Sequence, residues 1–501
     1  MLRHLYLTAA ALLIATLGAE AETLRVDCTP GELAASVEAP ESVTDLVITG
    51  TVNAADLFFM GQQLPNLQTL AMGTAAIAEY QGPKLHGRQQ WPANTIPEGA
   101  FAGCPATTIH MPAAEGLAIQ QSAFAGSALQ TMSLLTTISS VGDGAFAGCP
   151  ALTEVYMPDI SSYGNYIFAG CKALTKAKLA MQTLPEGTFA DCPALATLEG
   201  TDLVRNIGKY AFANCSSLRH YAVSPNLYVI GEGAFMRSGL EAFDASAAAS
   251  FTVVGPWAFA YCASLSEVHL SNAIVKLGEG AFFDCTQLTA AILPPEVRQV
   301  SNYLFKGTAA VTTDNVSISG ATAIGDYAMA RMEGLGSITI PGTITSVGEG
   351  AFLGLKASMI YAQALEAVPA TGADAFAEVD RPAVTLYVAD DMYEDFTTAD
   401  QWREFNIVKY SSGVTDVRST ITLEGTPALK ARFVGTDLEV SIEGLDIAWI
   451  ALYNEAGLLL TAVEPDADVV TIATAQMQAH VFIVSARLAD GRDASLKIAR
   501  R

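Results

Sequence analysis

The sequence predicts a mainly β protein with short helical turns: a solenoid built on a parallel sheet, followed by a small C-terminal antiparallel β-sandwich. The first observation is one phrase repeated thirteen times between residues 101 and 376: a glycine, a small residue, a large apolar side chain, then often a cysteine. The apolar positions are Phe101, Phe124, Phe146, Phe168, Phe189, Phe212, Phe235, Phe259, Phe282, Phe305, Met329, Phe352 and Phe376, spaced 21 to 24 residues apart. A compact core gives no reason to return to one residue at that interval. A repeat that cannot bury its apolar face alone must stack on the next, leaving one internal row of rings. The second observation is the alternation of apolar residues ahead of each phrase, which reads as a strand with one buried face. The third is a change after Gly413, where the phrase stops and short alternating segments begin.

The N-terminal 21 residues stand apart. Arg3 and His4 form a basic start, Leu5 to Leu17 an apolar run, and Ala19-Glu20-Ala21 a small-residue site for a signal peptidase. The run is shorter than the ~20 residues that span a bilayer, and no later stretch approaches that length. Export with cleavage near Ala21 is expected, with no transmembrane segment in the mature chain. Cys28 lacks a preceding lipobox, which disfavours a lipid anchor.

The chain has 51 acidic and 27 basic residues, a formal net charge of −24, and 51% hydrophobic content. A nucleic-acid groove needs clustered Lys and Arg to displace counterions, and no such cluster occurs. Anionic lipid surfaces are disfavoured by the same argument, and the acidity reads as a solvated surface.

The segment Leu265 to Leu288 shows one turn. Leu265, Val268 and Leu270 alternate as a short strand; Leu277-Gly278 then leads into Ala281-Phe282 and Asp284-Cys285. Glycine stands four residues before the apolar position in nine turns, including Gly142, Gly231, Gly278 and Gly348, and suggests positive φ or a close backbone approach. Pro97, Gln120, Pro185 and Ser301 stand there in the others. Pro158, Pro294 and Pro341 follow strands, where a chain leaves a sheet. Stacked at roughly 4.8 Å, thirteen turns make a rod on the order of 60 Å long. Phe212→Ala is expected to cost about 3–5 kcal/mol, with local damage first.

Seven of the eight cysteines fall three residues after the ring: Cys104, Cys149, Cys171, Cys192, Cys215, Cys262 and Cys285. Ser127, Ser238, Thr308, Met332, Leu355 and Val379 take that slot elsewhere, which reads as a small buried packing position. A disulfide requires side chains that face one another, whereas ladder neighbours point the same way. An exported chain with reduced thiols is unusual, so pairing stays an alternative. A metal site would need shorter spacing than a full turn.

The phrase Val141-Gly-Asp-Gly-Ala-Phe-Ala-Gly-Cys-Pro-Ala-Leu152 resembles the repeat signature of the BspA-type leucine-rich repeat family of bacterial surface proteins. That resemblance implies a leucine-rich-repeat solenoid. Leu46 to Asn53, Asp56-Leu57 and Leu67 to Leu70 look like the family's N-terminal capping region; Leu386 to Val388 and Trp402 to Val408 look like its closing strand, helix and strand. The expected organisation is a signal peptide at 1–21, a capping region at 22–95, the solenoid with its C-terminal cap at 96–410, and a β-sandwich at 414–501. Val311 to Ile318 forms a poor strand, where a bulge is expected. In the tail, Leu438 to Ile442, Trp449 to Tyr453, Val469 to Ile472 and Val481 to Ser485 read as strands. Their arrangement is similar to sorting domains of type IX secretion: Ile450 to Gly457 resembles the inner strand and turn, and Val481 to Val484 before Lys497 to Arg501 the closing hairpin. His480 departs from the glycine usual before that hairpin. This resemblance implies delivery to the outer-membrane exterior and contact with secretion machinery through 414–501.

No chemistry-bearing motif accompanies the repeats. The six histidines have no i, i+4 histidine partner, and no phosphate loop, nucleophile elbow, dinucleotide fingerprint or calcium loop is present. No catalytic, metal or cofactor-binding residues are assigned, and an enzyme is not expected. Positions four after each leading Leu face outward on the strands; Tyr156, Lys178, Glu199, Asp244, His269 and Thr339 are the candidate ligand-face residues among them. The family resemblance implies binding or adhesion to an extracellular protein or matrix component. The alternative is a structural spacer of the cell envelope without a soluble ligand.

Overall fold

The computed structural model describes residues 23–112, 114–134, 137–160, 162–363, 365–410, 429–434, 437–442, 447–454, 459–463, 469–474, 481–488 and 493–499. The leader read at 1–21 and His480 lie outside them. Contacts group the chain into two compact units, one running to residue 181 and taking in 185–199, the other comprising 182–184 and the chain from 200 onward.

The first unit opens with parallel strands Thr23–Cys28, Asp45–Val52, Thr69–Ala71 and Thr108–His110. Helix Ala54–Gln62 follows the second of these, because Asn53 and Asp56 close a capping box at its start. Asp56 is buried and also accepts the N–H groups of Gly31 and Leu33 at 2.7 and 3.0 Å, which ties the first loop to the helix. A hairpin, Tyr80–Leu85 with Arg88–Trp91, leaves the parallel sheet. Each later turn contributes to two parallel ladders. One contains Thr131–Ser133, Glu154–Met157, Lys176–Leu179 and Thr197–Glu199; the other runs from Thr95–Ile96 to Ser162–Tyr163.

The second unit continues the pattern. Its outward-facing ladder is divided into Ala242–Asp244 with Glu267–His269, Ala291–Ile292 with Val316–Ser317, and a four-stranded sheet from Ser337–Ile340 to Asn406–Tyr410. The weak segment near Val311 forms a tight turn at Thr313–Asn315 and a strand of only two residues. Strand Thr385–Ala389, helix Tyr393–Thr398 and strand Asn406–Tyr410 close the repeats, and buried Trp402 packs edge-on to Phe376 at 4.8 Å. In the tail, antiparallel sheets of three and four strands enclose a core of Leu438, Val440, Ile450, Leu452, Ile472 and Phe482.

The apolar positions form ladders. In the first unit the rings from Phe101 to Phe189 stack at centroid distances of 5.1 to 5.8 Å, and in the second those from Phe212 to Phe305 at 5.3 to 5.8 Å. Neighbouring planes differ by no more than 16°. Strand spacing sets the repeat near 4.8 Å, and lateral offset of the rings supplies the remainder. Met329 is fully buried in its turn.

In most turns the amides around the ring alternate between two kinds of bond. At Phe282, the N–H groups of Gly280, Phe282 and Asp284 donate to Asn302, Leu304 and Lys306 of the next turn at 2.8 to 3.1 Å. The alternate N–H groups of Ala281, Phe283 and Cys285 close i→i−3 bonds within the turn. No buried amide in this stretch is left unpaired, as burial demands. This alternation requires positive φ two residues before and two residues after the ring, and all thirteen turns show it at both positions. Glycine takes some of these places, and Ser122, Tyr166, Trp257 and Asp374 take others.

The glycine four residues before the ring serves the other expected purpose, close approach. A Cβ on Gly142, Gly231, Gly255 or Gly372 would sit 2.5 to 2.7 Å from backbone atoms of the preceding turn.

All eight cysteines are buried. The ladder thiols do more than fill space: Cys149, Cys171, Cys192, Cys262 and Cys285 each donate to the carbonyl of the ring residue one turn earlier, at 3.0 to 3.2 Å. Burial pushes the Cys192 thiol up to about 12 and that of Cys262 up to about 11, from 9.0. The folded state therefore keeps protons that the unfolded chain releases near pH 9. Stability is fully present below pH 9 and falls as pH rises toward 11 to 12, by about 1.4 kcal/mol per pH unit for each such thiol. Melting curves from pH 8 to 10.5 should show this fall, with a shallower slope in Cys262→Ala. A thiol reagent should find no reactive cysteine in the native chain and eight after denaturation.

Candidate functional site

In the first unit, inward residues Val155, Met157, Ala177 and Leu179 are buried, so alternation sends Glu154, Tyr156, Lys176 and Lys178 outward. Tyr156 and Lys178 are register partners, and Lys178 is in turn opposite Glu199. The three sequence-predicted residues of this unit therefore form one continuous row. The Lys178 ammonium lies 5.8 Å from the Tyr156 ring centre. Beside them Lys176 bridges Glu199 at 3.0 Å and Glu154 at 3.1 Å, and these bonds raise its pKa, with Glu199 the larger cause. Both ion pairs are solvent-exposed, so they organise the face more than they stabilise the fold.

In the second unit, Asp244 and His269 are register partners on a two-stranded sheet. Ser246 donates its hydroxyl and its N–H to Asp244 Oδ1 at 2.7 and 2.9 Å, which holds that carboxyl below its usual range, with a smaller contribution from His269. Ile292, on the following sheet, is 59% exposed. Thr339 belongs to a separate sheet, where it is the register partner of Tyr361, which in turn pairs with Tyr387. The two tyrosine rings stack at 4.8 Å.

Tyr361 and Tyr387 point outward on their strands yet are buried, because the C-terminal sandwich covers this end of the sheet. Two adjoining cavities of about 420 and 410 Å³ remain between them, sharing Ser358, Met359, Tyr361 and Ala462. Trp449 and Val463 wall the first; Thr339, Leu460 and Thr461 line the second. Sequence reasoning reached Thr339 but missed Tyr361, because Ala357 replaces the leading leucine that marks the register.

A second cluster also escaped the sequence reading. Trp257, Tyr303 and Tyr327 occupy the positive-φ position before the ring and crowd with Phe283; Tyr303 and Tyr327 stack at 5.4 Å, and Lys306 lies 5.3 to 5.5 Å from three of these rings. Where glycine takes this position in the next turn, the aromatic covers it, as Tyr210 does Gly233. Tyr210 also donates to Glu232 at 2.5 Å, and Tyr327 to Glu349 at 2.7 Å. These rings are occupied with one another, which marks them as part of the scaffold.

Among the described residues, no three His, Cys, Asp or Glu side chains converge in metal-binding geometry. No described helix is long and apolar enough to cross a membrane.

The family model described as the BspA type leucine rich repeat region matches residues 94–219, 160–266, 182–312 and 310–379, together more than half of the chain. No curated protein matches the sequence. Among solved structures, a leucine-rich repeat protein from Bacteroides ovatus ATCC 8483 is 20% identical, with 75% of this chain and 86% of that one covered and a TM-score of 0.50. A leucine-rich repeat protein from Eubacterium ventriosum ATCC 27560 is 16% identical over 66% of this chain and 87% of that one, with a TM-score of 0.40. A leucine rich cell surface protein from Faecalibacterium prausnitzii A2-165 is 18% identical over 54% and 82%, with a TM-score of 0.30. The first of these shows a shared fold.

Proposed function

We propose that this chain, which belongs to the BspA-type leucine rich repeat family, is an exported or surface-displayed scaffold that binds a protein or matrix ligand and catalyses no reaction. The observation that carries this reading is the outward row Tyr156–Lys178–Glu199, where an aromatic ring, a cation and a carboxylate stand one turn apart on a rigid ladder. Preorganised side chains of these types suit recognition, since a few anchors dominate a protein interface. Acidic charge argues for partners that are neutral or basic.

The test is a binding array of extracellular and matrix proteins probed with the mature chain. A saturable partner is expected, and Tyr156→Ala should weaken it at least tenfold, the scale of a hot-spot truncation. No saturable partner, with adhesion unchanged after deletion of the chain, contradicts the reading.

The finer part of the proposal concerns the tail: residues 414–501 act as a sorting domain of the type IX kind. The antiparallel pairing of Ile447–Asn454 with Val481–Leu488 supports it. Mass spectrometry of the exported product should find this segment removed or attached at the cell surface. Intact Arg501 on a protein confined to the periplasm contradicts it.

A further inference from the structure

The groove beside Thr339 carries an inference that rests on the scaffold reading and goes beyond it. Strand Leu459–Val463 stands at the end of its sheet, with Ile447–Asn454 its one partner among the described residues. Four consecutive residues of that strand, Leu460 to Val463, line the two cavities. A strand that presents a face contributes alternate residues, because side chains alternate; consecutive residues mean that the strand presents its edge. The backbone N–H and C=O groups of that edge, which meet no second strand among the described residues, therefore look into the groove, the arrangement that recruits a further strand.

The groove's chemistry narrows the occupant. Although the chain carries a net charge of −24, no Asp, Glu, Lys, Arg or His lines either cavity among the described residues. Opposite the edge stand the hydroxyls of Ser317, Ser337 and Thr339, with the Tyr361–Tyr387 stack beyond them. A charged side chain placed there would lose hydration with no counter-charge to meet. A segment whose backbone pairs with one wall, and whose small polar and apolar side chains face the other, loses nothing. Cavities of about 420 and 410 Å³ are of ligand-site size, and a strand of five residues is about 17 Å long.

We propose that this groove binds an extended, uncharged peptide segment of a partner protein by strand addition to the edge Leu459–Val463.

The experiment uses the mature full-length chain and a phage-displayed library of random decapeptides. Enriched peptides are synthesised and titrated by fluorescence anisotropy. They should carry a stretch of at least five residues without Asp, Glu, Lys or Arg. Thr339→Lys and Thr461→Lys, both at partly exposed positions that tolerate a lysine, should each weaken binding at least tenfold with unchanged melting curves. Lys172→Ala, an exposed change in the other unit, should bind as the parent does. Enriched peptides that bind both lysine variants as well as the parent overturn the groove while leaving the scaffold reading intact. A neutral oligosaccharide, maltohexaose, that binds the parent and is lost in both variants, with no peptide enriched, shows a glycan occupant and overturns strand addition. Absence of peptide, glycan and array partners removes the scaffold reading as well.

Discussion

Phe259→Ala is expected to destabilise the second unit by about 3–5 kcal/mol, seen as a lower urea midpoint. The ring is fully buried. It stacks on Phe235 at 5.4 Å and Phe282 at 5.5 Å, and meets the edge of Phe243 at 4.9 Å. Truncation removes contacts on both sides, and the neighbouring turns cannot close over the gap, because their backbones are tied together at strand spacing. Phe259→Leu should recover part of the loss, since it restores most of the volume.

The second large effect separates two glycines of one turn. Gly231→Ala should cost about 3 kcal/mol, because its Cβ would lie 2.7 Å from the Lys209 nitrogen and 2.8 Å from the Gly208 carbonyl carbon. Two hydrogen-bonded turns would have to part. Gly233→Ala should cost about 1–2 kcal/mol, the scale of an L-residue held in the left-handed region. Its Cβ would meet the Tyr210 ring, which is partly exposed and can swing aside at the loss of its bond to Glu232. Urea denaturation of the two variants side by side gives the ranking; equal costs would contradict the close-approach role of the first glycine.

The ring ladder was legible because its cause is periodic: each turn must bury the same apolar position, so the same side chain returns. The positive-φ positions were not. Gly99, Ser122, Tyr166 and Trp257 share a backbone conformation and little else, because hydrogen bonding to the next turn imposes it. The thiol ladder was legible as packing, while its role as a donor depends on the approach of a carbonyl one turn away. In the tail, Asp437–Ile442, Ile447–Asn454, Val469–Ala473 and Val481–Leu488 were anticipated within a few residues. Two others were missed, and a third was anticipated only at its end, where Lys497 to Arg501 reads as the second arm of a hairpin with Val481 to Val484. Leu459–Val463 is mostly apolar and lacks alternation, and Asp493–Ala499 is rich in helix-favouring Ala, Leu and Lys that pairing with Val481–Leu488 overrides. Leu429–Val434 does alternate in part, but its polar positions are Lys and Arg, which blurred the signal.

The candidate face shows the same limit. Outward positions follow from counting along each strand, and the count that reaches Tyr156, Lys178 and Glu199 reaches register partners of the first unit. Which outward positions stay open depends on what folds back over them. Tyr361 and Tyr387 share the register of Thr339 and are nonetheless buried, a consequence of the sandwich that no local pattern announces.

The central claim is that stacked rings couple each turn to its neighbours, holding a binding ladder rigid. Hydrogen–deuterium exchange of Phe259→Ala against the parent tests it most directly. Protection should fall most around residues 231–285, fade with each turn away, and stay unchanged in strands Asp437–Ile442 and Val481–Leu488. Uniform loss across the repeats and the tail, or loss confined to the substituted residue, would contradict it.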